Sequence, residues 1–390
     1  MAESTETTSD SNADTELGAR IRDFCDEVER IYESLARYPR ITVNRHWSKH
    51  NPTISGEIAR PKAFRWYLER ELISLASQGA QIEVAPSRQR ISLGSPELLQ
   101  KIDESSLDLT RKKLFLFGPE RVDLSIERLE HYTSTEAHHF QRFILLTNYQ
   151  MHMEAFGRMY PDCVRPARRG VQMPAYHHVL PNNSGFSIVN IGVGPSNAKN
   201  FTDHVAVLRP DAMLMIGHCA GVRNHQEIGD FVLASGYMRA DRILDEALPL
   251  SVPVAPNFIL NKRLAQVLDE RRLSYRIGTV YTTVDRNWEL LLRTSLSDLR
   301  SSRSIAVDME SATVAANGFR YRVPNATLLC VSDKPLHGQP KLPGDAKRFY
   351  EESKDQHLLV GLDALESLRN EFPGGFPNTE LRAPDEPLIR

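Results

Sequence analysis

Two carboxylates at the end of one predicted strand are the first candidates for chemistry. Asp308 and Glu310 follow the apolar run Ser304–Val307 and are separated by Met309. In an extended segment, residues two positions apart point to the same side, and burying such a pair is costly unless it meets ligand hydroxyls or cations. A helix N-terminus, where the helix dipole favours acids, explains the pair equally well. Both interpretations stay open.

A third acid, Asp333, follows the most apolar run of the sequence, which predicts a strand over Thr327–Val331. Desolvation at such a position raises the pKa of a carboxyl group, and a raised pKa suits a general acid. On these residues alone, an aspartate that caps the turn into Pro335 is favoured.

A glycine-containing turn follows the predicted strand Ser187–Ile191. Gly192 and Gly194 precede Ser196 and Asn197, where a helix should begin. Backbone N–H groups could approach an anionic ligand there, and either polar side chain could cap the helix. The third glycine of a dinucleotide-binding fingerprint is missing, which favours an ordinary strand-to-helix turn.

Histidines provide one candidate polar contact and no metal site. Gly217 and His218 follow the predicted strand Ala212–Ile216, and the small residues there allow close approach of a ligand. The pairs His138-His139 and His177-His178 are adjacent in sequence, so their side chains diverge on any regular element and lack the spacing of zinc ligands. We therefore predict neither a metal nor a cofactor.

Short apolar strands that alternate with amphipathic helices place these residues at strand ends. Such alternation indicates a largely buried sheet with helices on both faces, and in these sheets ligands bind at the carboxyl ends of strands. The predicted strands are Phe143–Thr147, Ser187–Ile191, Ala212–Ile216, Asp230–Ala234, Gly278–Thr282, Ser304–Val307 and Thr327–Val331.

A smaller α+β domain is predicted before this sheet. Apolar residues at helical spacing indicate helices over Gly18–Tyr38 and Lys62–Ser77, and strands are expected at Arg40–Trp47 and Gln81–Val84. We expect a disordered acidic tail over residues 1–17, an amino-terminal domain with a connector from about residue 86 over residues 18–135, and a catalytic domain over residues 136–390.

Composition limits the class of protein. The 390 residues contain 48 Lys and Arg against 50 Asp and Glu, a balance that does not favour a general nucleic-acid binder. No run of about 18 apolar residues predicts a membrane span, and the polar first residues do not resemble a secretory signal. Four cysteines without a CxxC pair indicate reduced thiols and a cytoplasmic protein.

Seven stretches together resemble the nucleoside phosphorylase/nucleosidase superfamily, and within it the AMP nucleosidase family, over nearly the whole chain. The catalytic domain contributes VNIGVGPSNAKN, LMIGHCAGVR, GTVYTTVDRNWEL, VDMESATVAANGFRYRVP and LLCVSDKPLHGQPKLPG, and the amino-terminal domain ARPKAFRWYLEREL and RVDLSIERLEHYT. The resemblance implies a three-layer α/β domain with a central mixed sheet. It also implies hydrolysis of the N-glycosidic bond of AMP to adenine and ribose 5-phosphate.

The same resemblance assigns roles to the candidate residues. Asp333 would donate a proton toward purine N7, and Glu310 would hold the ribose hydroxyls and help to orient water. Met309 would pack on the sugar, and Tyr281 or Trp288 would stack on adenine. Other implied contacts are Asp308, Gly194, Ser196, Gly217 and His218, and the cationic candidates for the 5′-phosphate are Lys334, His337, Lys341 and Arg286.

A departure from the phosphorylase pattern favours water as the nucleophile. Where hexameric phosphorylases hold phosphate with an arginine, a serine and a glycine-rich turn, this sequence has Met215, His218 and the turn Thr147–Tyr149. Without that arginine guanidinium, the main contact that holds the phosphate is missing.

The resemblance also implies a homohexamer in purine salvage, with ATP and phosphate as allosteric effectors of the amino-terminal domain.

Two other functions stay open. A purine nucleoside phosphorylase would need inorganic phosphate for turnover. A nucleotide-sensing binding protein on the same scaffold would not need Asp333 and Glu310 together. A Rossmann dehydrogenase is disfavoured because its fingerprint fails at Asn197.

Overall fold

A computed structural model describes residues 6–49, 51–91, 98–100, 102, 113–340, 343–377, 382–383 and 386–390. The chain divides into two compact units. Unit 1 comprises Met1–Arg128, Val207–Arg209 and Arg382–Arg390, and unit 2 comprises Leu129–Ala206 and Pro210–Leu381. Two short segments that we expected in the catalytic domain therefore belong to the amino-terminal unit.

Unit 1 is an α+β assembly around a three-stranded antiparallel sheet of order β2-β1-β3. Val43 of β1 pairs with Ile54 and Ile82 on either side, and α1 packs against β1 and α2. The elements are α1 (Glu6–Leu35), β1 (Arg37–Asn44), β2 (Thr53–Glu57), α2 (Arg65–Ser77), β3 (Gln81–Arg90) and α3 (Pro119–Thr133), with the division between the units inside α3.

Two expectations about this unit are wrong. α1 begins at Glu6, inside the segment expected to be a disordered tail, because acidic residues favour the first turns of a helix and the apolar face downstream propagates it. The expected connector contains the end of β3 and all of α3. The α3 residues Val122, Ile126 and Leu129 have helical spacing and are buried, so the signal was present in the sequence.

Unit 2 is built on an eight-stranded mixed sheet of order β10-β9-β8-β11-β7-β4-β6-β5. Its strands are β4 (Phe143–Thr147), β5 (Ala175–His178), β6 (Phe186–Asn190), β7 (Ala212–Gly221), β8 (Phe231–Arg239), β9 (Tyr275–Thr282), β10 (Ala306–Asp308) and β11 (Asn325–Asp333). All seven predicted strands are confirmed within a few residues of their bounds. The edge strand β5 escaped prediction because Pro174 precedes four residues with two histidines.

One end of this sheet closes on itself. β10 pairs in parallel with β9 and antiparallel with the end of β7, where Val307 faces Ala220. Strands β7, β11, β8, β9 and β10 therefore form a ring. Although β9 and β10 run opposite to β7 and β11, the closure places the last residues of β7 directly beside β10.

Helices cover both faces of the sheet. On one face, α9 (Pro343–Glu371) packs against α4 (Gln150–Met159) and α6 (Phe258–Glu270), over a core that includes Leu214 and Leu328. On the other face, α5 (Pro195–Val205) packs against α8 (Ser311–Arg320), and α7 (Leu292–Ser301) follows β9. The three-layer α/β domain with a preceding α+β unit confirms the predicted fold class.

No helix in the described part of the chain is both long and apolar enough to cross a membrane.

Candidate active site

The candidate site is a cavity of about 380 Å³ in unit 2, lined by residues at or after the carboxyl ends of β4, β6, β7, β9, β10 and β11. This volume lies within the range of roughly 300–1,000 Å³ that is usual for small-molecule sites. The lining residues are Asn148, Tyr149, Val193, His218, Cys219, Ala220, Thr283, Asp285, Arg286, Asn287, Trp288, Glu289, Val307, Asp308, Met309, Glu310, Ser332, Asp333 and Pro340.

The structure gives Asp308 and Glu310 different environments, although both line the cavity. Asp308 ends β10 and accepts hydrogen bonds from the Thr282 hydroxyl at 2.6 Å and the Ser311 backbone N–H at 2.9 Å. It therefore fixes the start of α8, as the helix-terminus interpretation predicts. Burial raises its pKa, and these hydrogen bonds oppose the rise.

Glu310 is the buried acid whose contacts come from other parts of the cavity wall. Its Oε1 accepts the Gly194 backbone N–H at 2.6 Å, and its carboxylate is hydrogen-bonded by Asn148. Burial, reinforced by the negative charge of Asp308, raises its pKa from 4.5 to about 8. A carboxylate held this way has remaining lone pairs for a ligand hydroxyl or a water molecule.

The turn between β6 and α5 supplies this N–H group. Gly192 and Gly194 have φ of +74° and +105°, conformations that favour glycine. Gly194 is itself the N-cap of α5, so the predicted capping by Ser196 or Asn197 is wrong. The Ser196 side chain is exposed and does not line the cavity, and the Asn197 amide donates to the Val193 carbonyl at 3.2 Å.

Asp333 lies at the end of β11 and lines the same cavity as Glu310. It is 7% exposed, and the Ser332 hydroxyl donates to its Oδ1 at 2.6 Å. The neighbouring Lys334 is also buried but does not line the cavity, and its Nζ donates to the Asn224 carbonyl at 3.1 Å. The predicted acid is therefore in the site, whereas the predicted lysine is engaged elsewhere.

Three histidine rings contact one another where β7 lines the cavity. The His218 ring lines the cavity and stacks on His152 with centroids 5.8 Å apart, and His357 contacts both rings edge-on. Burial lowers the pKa of His152 and lowers that of His357 to about 4, so both are neutral near pH 7. Gly217, a predicted contact residue, does not line the cavity, and a Cβ there would come within 3.3 Å of the Met215 side chain.

The two aromatic candidates for stacking on adenine differ in their access to the cavity. Trp288 lines the cavity and is packed against Tyr281, Ala220 and Val307 in one apolar cluster. Tyr281 is buried within that cluster and is not a lining residue. Trp288 is therefore the better placed of the two for stacking on a planar ligand.

Arg286 is the only lysine or arginine among the lining residues of this described cavity, and its side chain is exposed. His337 is exposed and does not line the cavity, and Lys341 lies outside the described residues. Four carboxylates accompany Arg286 besides Glu310: Asp285, Glu289, Asp308 and Asp333. The cavity is therefore acidic at its base, with one cation at a more exposed position.

Sequence reasoning missed several lining residues. Asn148 and Tyr149 were noted only as part of a turn, and Thr283, Asp285 and Asn287 were not singled out. All of them directly follow β4 or β9, so an inspection of every predicted strand end would have found them.

Comparisons with known proteins agree with this fold. The family model described as the phosphorylase superfamily matches residues 150–365. The AMP nucleosidase of Escherichia coli K12 is 39% identical over 437 aligned positions, which cover 92% of this chain and 90% of that protein. The chain thus belongs to the phosphorylase superfamily. Within it, the chain belongs to the AMP nucleosidase family and is an N-glycosyl hydrolase.

Solved structures show the same architecture. The crystal structure of AMP nucleosidase from Bacteroides thetaiotaomicron matches with a TM-score of 0.55 and 29% identity, over 64% of this chain and 99% of that chain. A purine nucleoside phosphorylase from Toxoplasma gondii in complex with immucillin-H matches with a TM-score of 0.53 and 15% identity, over 62% of this chain and 98% of that chain. The second match supports the fold alone.

Proposed function

We propose that the chain hydrolyses the N-glycosidic bond of AMP to adenine and ribose 5-phosphate. The observation that carries this proposal is the placement of Asp333 and Glu310, from two different strand ends, in one cavity of nucleotide size within a member of this family. Asp333 acts as general acid and Glu310 acts on the ribose.

Asp333 assists departure of the base. Cleavage of the C1′–N9 bond transfers its electron pair to the purine, and a proton donated to N7 makes adenine a better leaving group. The buried position of Asp333 and the Ser332 hydroxyl on its Oδ1 hold the carboxyl group in place for this transfer. Trp288 stacks on the base.

Glu310 stabilises the sugar as positive charge develops on it. Its carboxylate accepts hydrogen bonds from the ribose hydroxyls, and Met309 packs on the sugar. Asp308 holds the segment that carries both residues, because it accepts hydrogen bonds from Thr282 and Ser311. The Gly194 N–H and the Asn148 amide orient the Glu310 carboxylate before substrate binds. Such preorganised charge is a major source of catalytic rate enhancement.

Water is the nucleophile in this proposal. Its oxygen forms the new bond to C1′, its proton passes to the Glu310 carboxylate or solvent, and the proton on adenine comes from Asp333. The support is that Asn148, Tyr149 and His218 line the cavity at the positions where phosphorylases hold phosphate, with no lysine or arginine among them. Arg286 is assigned to the 5′-phosphate of AMP.

The assembly and regulation follow the family resemblance. We propose a homohexamer in which unit 1 responds to ATP and phosphate, and which works in purine salvage in the cytoplasm. Every lining residue of the cavity belongs to unit 2, which supports a regulatory rather than a chemical role for unit 1. The four cysteines are buried and unpaired by disulfides, as suits a reducing compartment.

The test is product analysis of AMP incubated with the protein, with and without inorganic phosphate. We expect adenine and ribose 5-phosphate in both cases, and loss of about 10²–10⁴-fold in rate for Asp333→Asn, which keeps the shape but not the donated proton. Formation of ribose 1,5-bisphosphate only when phosphate is added would identify a phosphorylase. Binding of AMP without turnover would identify a sensor, and a near-normal kcat for Asp333→Asn would remove it as the acid.

A further inference from the structure

Two helices of unit 2 begin at the hydrogen bond that orients Glu310. Gly194 directly precedes α5, Glu310 directly precedes α8, and the N–H of the first donates to the carboxylate of the second at 2.6 Å. The position of one helix start relative to the other therefore fixes this contact. α5 and α8 pack against each other.

Asn317 joins the two helices about two turns further on. It is fully buried on α8, and its Nδ2 donates to Thr202 Oγ1 at 2.8 Å and Asp203 Oδ1 at 3.0 Å on α5. Its Oδ1 accepts from Arg320 at 2.6 Å, and the Tyr321 hydroxyl donates to Asp203 at 2.7 Å. A buried amide that lost these partners would pay a desolvation penalty.

The geometry of this contact resists sliding of one helix along the other. Asn317 lies seven residues after Glu310 and Thr202 lies eight residues after Gly194, which corresponds to about 10 and 12 Å along the helix axes. The two helices are thus fixed at nearly equal distances from the Gly194–Glu310 contact. A shift of one helix would change the hydrogen bond to Glu310 directly.

We propose that Asn317 is a positioning residue for catalysis, which keeps α5 and α8 in the register that places the Gly194 N–H on Glu310. Asn317 does not line the cavity, so it acts through the two helices and not on the substrate. The inference rests on the proposed function because it assumes that Glu310 acts on the ribose. Misplacement of a catalytic group by about 1 Å can cost about 10²-fold in rate.

The test replaces Asn317 with leucine, which has a similar volume and no hydrogen-bonding group. We expect kcat for AMP to fall by roughly 10–100-fold with KM changed by less than about threefold. The acidic limb of the kcat/KM profile should move to higher pH, because Glu310 loses a donated hydrogen bond that favours its ionised form. The other charged or titratable lining groups remain as they are: Asp285, Arg286, Glu289, Asp308, Asp333, His218, Tyr149 and Cys219.

Lys199→Gln is the matched control. Lys199 is a partly exposed residue that forms an ion pair with Asp203 within α5, so its loss should change kcat by less than about twofold. Thr202→Val removes one acceptor of Asn317 at constant volume and should change kcat and the profile in the same direction by a smaller factor. If Asn317→Leu does not fold, the kinetics of Thr202→Val test the inference instead.

The inference would be overturned if Asn317→Leu folds, keeps the wild-type kcat and leaves the acidic limb of the kcat/KM profile unchanged. A lower Tm with no change in kinetics would overturn it as well. Failure of the wild-type protein to cleave AMP would be a failure of the proposed function. In that case Tm is measured between pH 5.5 and 8.5 for the wild-type protein and for Asn317→Leu. Its pH dependence reports the pKa of Glu310 without catalysis, so a difference between the two proteins still tests the role of Asn317.

Discussion

Glu310 is a buried acid, and the ionised state that suits its proposed role lowers the stability of the folded protein. A buried carboxylate beside Asp308 is costly to ionise, which is why its pKa rises to about 8. Since the folded-state pKa exceeds the unfolded value, the folded protein binds an extra proton between about pH 4.5 and 8. This group therefore lowers stability as pH rises through that range, and the ionised form that the proposed mechanism uses is the destabilising one.

Glu310→Gln should thus stabilise the protein while it impairs turnover. We expect Tm at pH 8.5 to rise by roughly 2 °C or more with a smaller rise at pH 5.5, and kcat for AMP to fall by at least about 10²-fold. Calorimetry at the two pH values and steady-state kinetics measure both effects. Glu289→Gln, at an exposed lining residue, is the control. An equal gain in Tm at both pH values would contradict the assigned pKa.

Arg286 makes a separate prediction about substrate selectivity. As the one arginine or lysine of the described cavity lining, it should favour AMP over adenosine through a charge-assisted contact with the phosphate. Arg286→Ala should reduce kcat/KM for AMP by roughly 10–100-fold and leave adenosine nearly unchanged. Arg293→Ala, an exposed arginine outside this cavity, should have little effect. Equal losses for AMP and adenosine would show that Arg286 does not act on the phosphate.

At the scale of elements, the β6–α5 turn connects backbone conformation to the site. Gly194 has φ of +105° and donates its N–H to Glu310. Gly194→Ala places a Cβ in open space, so its cost comes from the backbone, which must leave this conformation. We expect kcat for AMP to fall by roughly 10–100-fold, the loss typical of one hydrogen bond to a charged group.

Gly229→Ala is a close control for this strain. Gly229 has φ of +100°, a Cβ there also meets nothing within 4 Å, and the residue does not line the cavity. Both variants should lose similar stability in a thermal melt, whereas only Gly194→Ala should lose turnover. Equal kcat in the two variants would show that the Gly194 N–H has no part in catalysis.

The sheet could be predicted from sequence because its strands are buried on both faces. Continuous apolar runs such as Phe143–Thr147 carry that signal in their own residues. β2 and β5 carry no such signal, since their conformation depends on pairing with β1 and β6. The ring closure through β10 and β7 was also beyond prediction, because a three-residue strand has too few residues to specify two partners.

The candidate site was predictable in type and less so in detail. Asp333 and Glu310 follow apolar strands, and the sequence places them at the edge where ligands bind. The separate roles of Asp308 and Glu310 depend on Thr282, Gly194 and other distant residues. Likewise, the direction in which Lys334 extends is set by the Asn224 carbonyl, a contact that no local pattern encodes.

At the scale of the whole molecule, Arg209 shows how the chain passes between the units. Its segment Val207–Arg209 lies between α5 and β7 in sequence and belongs to unit 1. The guanidinium lies 3.8 Å from the centre of the Phe64 ring, and its Nε donates to the Arg390 carbonyl at 2.7 Å. Burial lowers its pKa to about 9. Unit 1 therefore depends on a residue that is contributed from within the catalytic part of the sequence.

Arg209→Met should destabilise unit 1 and leave the chemistry in place. The substitution keeps most of the volume but removes a desolvated cation–π contact of about 2 kcal/mol or more and its hydrogen bonds, so we expect a thermal transition lower by roughly 5 °C or more. Arg40→Met, at an exposed arginine of β1, should lower it by about 1 °C at most. Because all cavity residues belong to unit 2, kcat for AMP at 25 °C should stay within about threefold, while the response to ATP and phosphate that we propose for unit 1 should weaken. The measurements are calorimetry and AMP turnover across ATP and phosphate concentrations.

Loss of turnover in the folded Arg209→Met variant would mean that unit 1 contributes to the chemistry. A full response to ATP and phosphate from a protein whose unit 1 has melted would place the effector site in unit 2.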